Sequence, residues 1–166
     1  MSPVKLSLDV GTGSGIVALY LSKKSDVVVA TDINRNAILC ARENARRNGA
    51  DNILFTVGDL TRHLKKKFDV ITFNPPYLPI GNNLKPEENP ELAWDGGKTG
   101  REVIERFLRE AGDVCHKKTR IFLVISSLTG LAEVLADARD CGFLPYVRRE
   151  EKVAFETLYL LELLHH

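Results

Sequence analysis

The chain has 166 residues, of which 44% are hydrophobic and 27% are charged, and its formal net charge is +1. This length and composition predict a single domain over residues 1–166 with one core, and the near-neutral charge gives no general attraction to nucleic acid or membranes. No apolar run reaches the roughly 20 residues that cross a bilayer, and no signal peptide is evident. Three widely spaced cysteines without a CxxC pattern favour a reducing, cytoplasmic location.

The first predicted strand, residues 5–10, leads into a glycine-rich turn and then a helical run from Ile16. Three alternating glycines permit a tight turn and the close approach of a ligand to the backbone. A dinucleotide GxGxxG motif would need a small residue where Ile16 stands, so that type of site is disfavoured. We expect cofactor binding by the residues of this turn, namely Asp9, Gly11, Thr12, Gly13 and Gly15.

Acidic residues follow the next two predicted strands, residues 27–31 and 53–57. Asp32 stands where a doubly wound fold places the carboxylate that accepts ribose hydroxyls. Asp59, followed by Leu60, is placed to accept from an adenine amino group. The carboxyl ends of these strands meet at one edge of the sheet, where such folds bind ligands.

The fourth predicted strand, residues 68–73, is followed directly by Asn74, Pro75, Pro76 and Tyr77. Two prolines make a stiff peptide, and Asn74 and the proline carbonyls supply acceptor oxygens on one short arc. Two such acceptors grip a planar NH2 group, orienting its lone pair toward an incoming methyl, and Tyr77 stacks on the group. A sulfonium methyl donor needs no metal here, so no metal site is predicted. We assign the catalytic role to these four residues, with Asn74 also facing the cofactor.

The segment from residue 74 to 98 holds five of the chain's seven prolines and lacks a helical or strand period. Loops of this length in compact domains are usually functional or disordered. We interpret it as the substrate-recognition loop, with Trp94, Gly96, Gly97 and Arg101 as its candidate contacts.

Strands alternate with helices along the rest of the chain, which indicates a parallel sheet covered on both faces. Helical spacing occurs near residues 37–45, 104–111 and 131–138, and further strands are predicted at 119–126, 143–149 and 154–163. The last two strands leave no room for a helix between them, so they form an antiparallel pair at the sheet's edge. The predicted fold class is α/β, with a mostly parallel sheet of seven strands.

Together these motifs resemble HemK-type protein glutamine methyltransferases, in particular their short archaeal and eukaryotic branch. The resemblance is carried by the glycine turn, the acidic strand ends, Asn-Pro-Pro-Tyr and the Trp-x-Gly-Gly loop that runs to Arg101 and Glu102. It implies a class I methyltransferase fold, which is Rossmann-like, and S-adenosylmethionine as the methyl donor. It also implies the glutamine of the Gly-Gly-Gln loop of a class-1 peptide release factor as the acceptor, gripped by Asn74 and the Pro75 carbonyl.

The resemblance has two further implications. Members of this branch act with a small zinc-binding activator protein, which pairs along the edge strand that corresponds here to residues 53–57. The family also carries a segment ahead of the first strand that folds over the cofactor, whereas this sequence begins shortly before that strand. We therefore expect weaker donor binding than in a longer form.

Three other functions remain open at this point. An N6-adenine or N2-guanine methyltransferase of DNA or RNA uses the same NH2 chemistry, but it needs a basic surface that the composition does not indicate. Lysine methylation of a protein is a related alternative. A binding subunit that keeps the fold without activity is the third, and it is discriminated by whether the chain binds S-adenosylmethionine at all.

Overall fold

The computed structural model describes residues 4–76 and 100–165, which form an α/β structure around one sheet. The strands are β1 (Val4–Val10), β2 (Ser25–Asp32), β3 (Ile53–Val57), β4 (Phe68–Phe73), β5 (Cys115–Ser126), β6 (Phe143–Val153) and β7 (Glu156–His165). The helices are α1 (Ile16–Ser22), α2 (Arg35–Arg47), α3 (Glu102–Ala111) and α4 (Leu131–Asp140). Single 3-10 turns at Gly112–Val114 and Ser127–Thr129 flank β5.

The strand order in the sheet is β3-β2-β1-β4-β5-β7-β6. The first five strands in this order are parallel, while β7 runs antiparallel to both β5 and β6. The predicted fold class, the antiparallel terminal pair and the edge position of β3 are therefore confirmed. Within the described residues, no helix has the length and apolar character needed to cross a membrane.

Two strand boundaries differ by four residues from the sequence-based expectation, namely the start of β5 and the end of β6. Strand β5 begins at Cys115 rather than at 119, and its register against β4 shifts between Phe68 and Val70. Strand β6 continues to Val153, so the hairpin turn falls at Ala154 and Phe155, where a strand was expected to begin. Ala154 has a φ of 47°, and no glycine, asparagine or proline marks this turn in the sequence.

Apolar side chains on alternate strand positions pack on both faces of the sheet, as a covered parallel sheet requires. In β2, for example, Val28 and Ala30 lie in one cluster with α1, whereas Val29 packs against the other. The larger cluster holds α3 and α4 against β1, β4, β5 and β7. Phe107 of α3 is fully buried there, and its ring centroid lies 4.7 Å from that of Phe73 at the end of β4.

Replacing Phe107 with a smaller residue should therefore weaken the packing at the end of β4 as well as in the core. We expect Phe107→Ala to lower the free energy of unfolding by about 3–5 kcal/mol, because it leaves a cavity beside Phe73. Urea denaturation measures this loss, with Leu39→Ala as the control, since Leu39 on α2 is 52% exposed. Equal losses for the two variants would contradict this packing role.

Candidate active site

The sheet register brings four sequence motifs to one level. Val10 pairs with Thr31 of β2 on one side and with Phe73 of β4 on the other. The residues that follow these three, Gly11, Asp32 and Asn74, therefore leave adjacent strands together. Thr31 in turn pairs with Thr56 of β3, so the Gly58 to Leu60 turn emerges one strand further along. Neighbouring strands lie about 4.8 Å apart, which is close enough for one ligand to contact several of these turns.

Asp9 connects the glycine turn to the end of β4. Its side chain is almost completely buried, with 3% of the residue exposed. One carboxylate oxygen accepts from the Thr12 hydroxyl and the other from the Thr72 hydroxyl, both at 2.7 Å. Burial raises the pKa of Asp9 to about 6, even though these two hydrogen bonds act in the opposite direction. Thr72 was not anticipated from the sequence, although a polar residue inside an apolar central strand was a usable signal.

The backbone of the glycine turn is shaped by two further contacts. The Thr12 amide donates to the Thr31 carbonyl at 3.0 Å, and the Gly15 amide donates to the Thr12 carbonyl at 2.8 Å. Gly15 has a φ of 83°, and a methyl group there would lie 2.9 Å from the Ala41 Cβ, so no larger residue fits. At Gly13 such a methyl group would meet nothing within 4 Å, which leaves the turn open to a ligand.

Asp32 is half-buried at the end of β2 and is held by two backbone amides. Gly13 donates to its Oδ2 at 2.9 Å, and Asn34 donates to its Oδ1 at 2.8 Å. Each oxygen retains a lone pair for a further donor such as a sugar hydroxyl. The following residue, Ile33, is 70% exposed at the same edge and offers an apolar surface that the sequence reading did not single out.

The turn after β3 packs against α3. The side chain of Asp59 forms an ion pair with Arg106, and Leu60 is buried although its φ is 48°, in the left-handed region. His63 is exposed, but its ring lies against Gly58 and its Nε2 is 3.3 Å from the Thr31 hydroxyl. The structure thus adds Arg106 and His63 to the surroundings of this turn.

Asn74 is exposed at the end of β4, while Pro75 is buried and Pro76 is half-buried. The exposed asparagine is therefore followed directly by a proline that is anchored by burial. Tyr77, Trp94, Gly96 and Gly97 lie outside the described residues. Arg101 lies at the start of α3, where its side chain does not cap the helix but donates to the Thr129 carbonyl at 3.0 Å, tying α3 to the turn after β5.

Comparisons with known proteins agree with this arrangement. The family model for the methyltransferase small domain matches residues 3–85. A relative from Methanocaldococcus jannaschii, provisionally named a protein N5-glutamine methyltransferase, is 38% identical over 155 residues, which cover 93% of this chain and 78% of the relative. The chain belongs to the HemK family of methyltransferases. The human methyltransferase HEMK2 is 30% identical over 169 residues, covering 98% of this chain and 78% of that protein.

A solved structure supports the same membership in the HemK family. It is the Mtq2-Trm112 complex of E. cuniculi, described as responsible for methylation of the eRF1 translation termination factor. One of its chains matches with a TM-score of 0.74 and 27% identity, over 98% of this chain and 85% of that one. As a HemK methyltransferase, the chain uses S-adenosylmethionine as its methyl donor.

The residues at the carboxyl ends of the parallel strands suit this methyl donor. The open backbone at Gly13 and the lone pairs of the Asp32 carboxylate suit the polar parts of a nucleoside, and Ile33 suits the face of a base. When bound, S-adenosylmethionine supplies an activated methyl group on a sulfonium. The roles of Gly11, Asp32, Asp59 and Asn74 toward it remain predictions.

The raised pKa of Asp9 gives a test by pH. Its carboxyl group has an ordinary pKa of 3.8, so between about pH 4 and pH 6 only the folded protein keeps the proton. Its contribution to stability is thus greatest below pH 4, falls as pH rises, and is level above pH 6. Asp9→Asn cannot ionise at this position, so the free energy of unfolding of the variant, relative to that of the wild type, should rise by about 2 kcal/mol between pH 4 and pH 7. Urea denaturation of both proteins at the two pH values measures this, and parallel pH profiles would contradict it.

Proposed function

We propose that this methyltransferase transfers a methyl group to the side-chain amide nitrogen, N5, of the glutamine in the Gly-Gly-Gln loop of a class-1 peptide release factor. The observation that carries the proposal is the register Val10 to Phe73, because it sets Asn74 beside the glycine turn. An NH2 group held at Asn74 then faces the cofactor side of the sheet edge. The Mtq2-Trm112 complex methylates eRF1, which supports a release factor as the substrate of this chain.

The chemistry assigned to Asn74 and Pro75 follows from their hydrogen-bonding groups. An amide nitrogen is a weak nucleophile, since its lone pair is delocalised into the carbonyl. The Asn74 side-chain oxygen and the Pro75 carbonyl oxygen are both hydrogen-bond acceptors. Together they hold both hydrogens of the NH2 group and leave its lone pair free to attack. The nitrogen would bond to the methyl carbon as the bond from that carbon to the sulfonium sulfur breaks, which would leave S-adenosylhomocysteine, and the nitrogen would then lose one proton to solvent. Burial of the Pro75 ring keeps these oxygens in place without reorganisation.

The remaining assigned residues surround these two oxygens in the proposal. Pro76 continues the rigid arc, and Tyr77 packs against the flat face of the amide. Trp94, Gly96 and Gly97 contact the loop that presents the glutamine, and Arg101 fixes the end of the substrate loop through Thr129.

We also propose that a small zinc-binding activator protein pairs with β3. This strand ends the sheet, and its exposed residues include Leu54 at 61% and Val57 at 50%. An edge strand with free backbone groups and apolar side chains suits a partner that adds a strand. The Trm112 subunit of the E. cuniculi complex supports a partner of this kind.

We further propose a cytoplasmic location. It is consistent with a release factor and an activator as partners and with the free thiols of Cys40, Cys115 and Cys141.

Methyl transfer from labelled S-adenosylmethionine to a release factor tests the substrate. We expect label on the Gly-Gly-Gln form and none on a matched Gly-Gly-Ala form, with higher turnover when the activator is added. Bulk DNA and RNA serve as competing acceptors in the same assay. Label on nucleic acid, or equal label on the Gln and Ala forms, would overturn the proposal.

Two substitutions separate the acceptor grip from the cofactor site. Asn74→Ala should lower kcat by about 100-fold or more, the scale for removing one preorganised polar contact to a reacting group, while cofactor affinity changes only a few fold. Asp32→Ala should instead weaken cofactor binding by about tenfold, because the Asp32 carboxylate and the turn that it orders through Gly13 are both lost. Steady-state kinetics and calorimetric titration of the cofactor measure the two effects. Near-normal turnover of Asn74→Ala would show that the amide is held elsewhere.

A further inference from the structure

Helix α3 is joined to the turn after β3 by two ion pairs. Near the middle of the helix, Arg106 Nη2 contacts Asp59 Oδ2. One turn later, Glu110 Oε1 lies 2.7 Å from Arg62 Nε. Asp59 is at the edge of the sheet that carries the cofactor site, whereas Arg62 and Glu110 lie further from it along the turn and the helix. The two ion pairs therefore connect the same elements but differ in their distance from the site.

The backbone around Asp59 is fixed on both sides. Before it, the Gly58 amide donates to the Asp32 carbonyl at 3.0 Å. After it, Leu60 is 7% exposed and anchors the turn in the core with a left-handed φ. The side chain of Asp59 is 44% exposed, so packing alone does not fix its rotamer. The contact with Arg106 fixes it.

The two oxygens of Asp59 are not equivalent. Arg106 occupies Oδ2, whereas no donor within residues 4–76 and 100–165 reaches Oδ1. A guanidinium carries five donors and no acceptor, so it holds the carboxylate without competing for the hydrogens of a ligand. The result is a carboxylate with one oxygen held and the other available at the edge of the site.

We propose that Arg106 is a positioning residue that orients Asp59 so that its free oxygen accepts from the exocyclic amino group of the cofactor's adenine, and that Arg106 thereby sets the preference for adenine over hypoxanthine. The inference rests on the proposed role of Asp59 in the cofactor site. An adenine presents an NH2 donor at this position and a hypoxanthine presents a carbonyl oxygen. A fixed carboxylate pairs with the donor and leaves the carbonyl unpaired or repelled, whereas a mobile one turns away from the carbonyl at little cost.

The competing explanation is that the Arg106–Asp59 pair only stabilises the fold. An ion pair as exposed as Arg106–Asp59 contributes little to stability. The Arg62–Glu110 pair joins the same two elements, although its Glu110 side chain is only 11% exposed. If the contact is only structural, its loss weakens the binding of both ligands by the same factor. The ratio of the two affinities therefore separates the explanations. Arg62→Ala is the matched control, since it removes one arginine of the same helix-to-turn contact away from the site.

The test is calorimetric titration of S-adenosylhomocysteine and S-inosylhomocysteine into the full chain. We expect Arg106→Ala to weaken binding of the adenine compound by roughly threefold to tenfold, the value of one hydrogen bond, and to change the inosine compound less, so that their affinity ratio falls. Arg106→Lys should give an intermediate ratio and covers the case in which the alanine variant does not fold. Arg62→Ala should keep the wild-type ratio. Asp59→Asn should also lower the ratio, because its amide nitrogen donates to the hypoxanthine carbonyl.

Each other outcome overturns the proposal in a distinct way. An unchanged ratio in both Arg106 variants, with a lowered ratio in Asp59→Asn, leaves Asp59 at the adenine and makes Arg106 structural. An unchanged ratio in Asp59→Asn removes Asp59 from the adenine and the proposal with it. An equal fall in Arg62→Ala would show that any ion pair to this turn suffices. Neither ligand involves the glutamine acceptor, so these results are separate from the test of the proposed reaction.

Discussion

The carboxylate of Asp9 is buried between the glycine turn and β4, where hydroxyls of Thr12 and Thr72 donate to its two oxygens. These contacts fix the glycine turn relative to β4, the strand that precedes Asn74. Burial raises the pKa of Asp9 to about 6, so at neutral pH the folded protein holds an ionised group where ionisation is unfavourable. A group that costs stability in this position is typical of a functional site. In the proposed reaction, the alignment of the methyl donor with the acceptor amide depends on this carboxylate.

Helix α3 provides a second constraint on the same edge. Phe107 packs on Phe73 just before Asn74, Arg106 holds Asp59, and Arg101 reaches the turn after β5. One helix therefore contacts the strand that ends next to Asn74, the turn that carries Asp59 and the turn after β5. Because α3 follows the proposed substrate-recognition loop in the chain, it connects that segment to the described part of the candidate site.

The local motifs and the strand alternation were readable from the sequence. Prolines after an apolar strand, alternating glycines and strand-end aspartates have short-range physical causes, and parallel strands bring their carboxyl ends together whatever the details. The partners of the charged groups were not readable. Arg106 and Asp59 are 47 residues apart, and Glu162, buried between Arg120 and Arg148, gives no local signal of its pairing. The β6–β7 turn was misplaced because Ala154 adopts a positive φ without a residue type that favours it.

A crystal structure of the chain with S-adenosylhomocysteine and a Gly-Gly-Gln peptide would show whether Asn74 and Pro75 hold the glutamine amide. We predict that the glutamine NH2 lies about 2.7–3.2 Å from both the Asn74 side-chain oxygen and the Pro75 carbonyl, with its nitrogen facing the cofactor sulfur. A glutamine amide bound away from these two oxygens, or turned so that its carbonyl faces the sulfur, would contradict it.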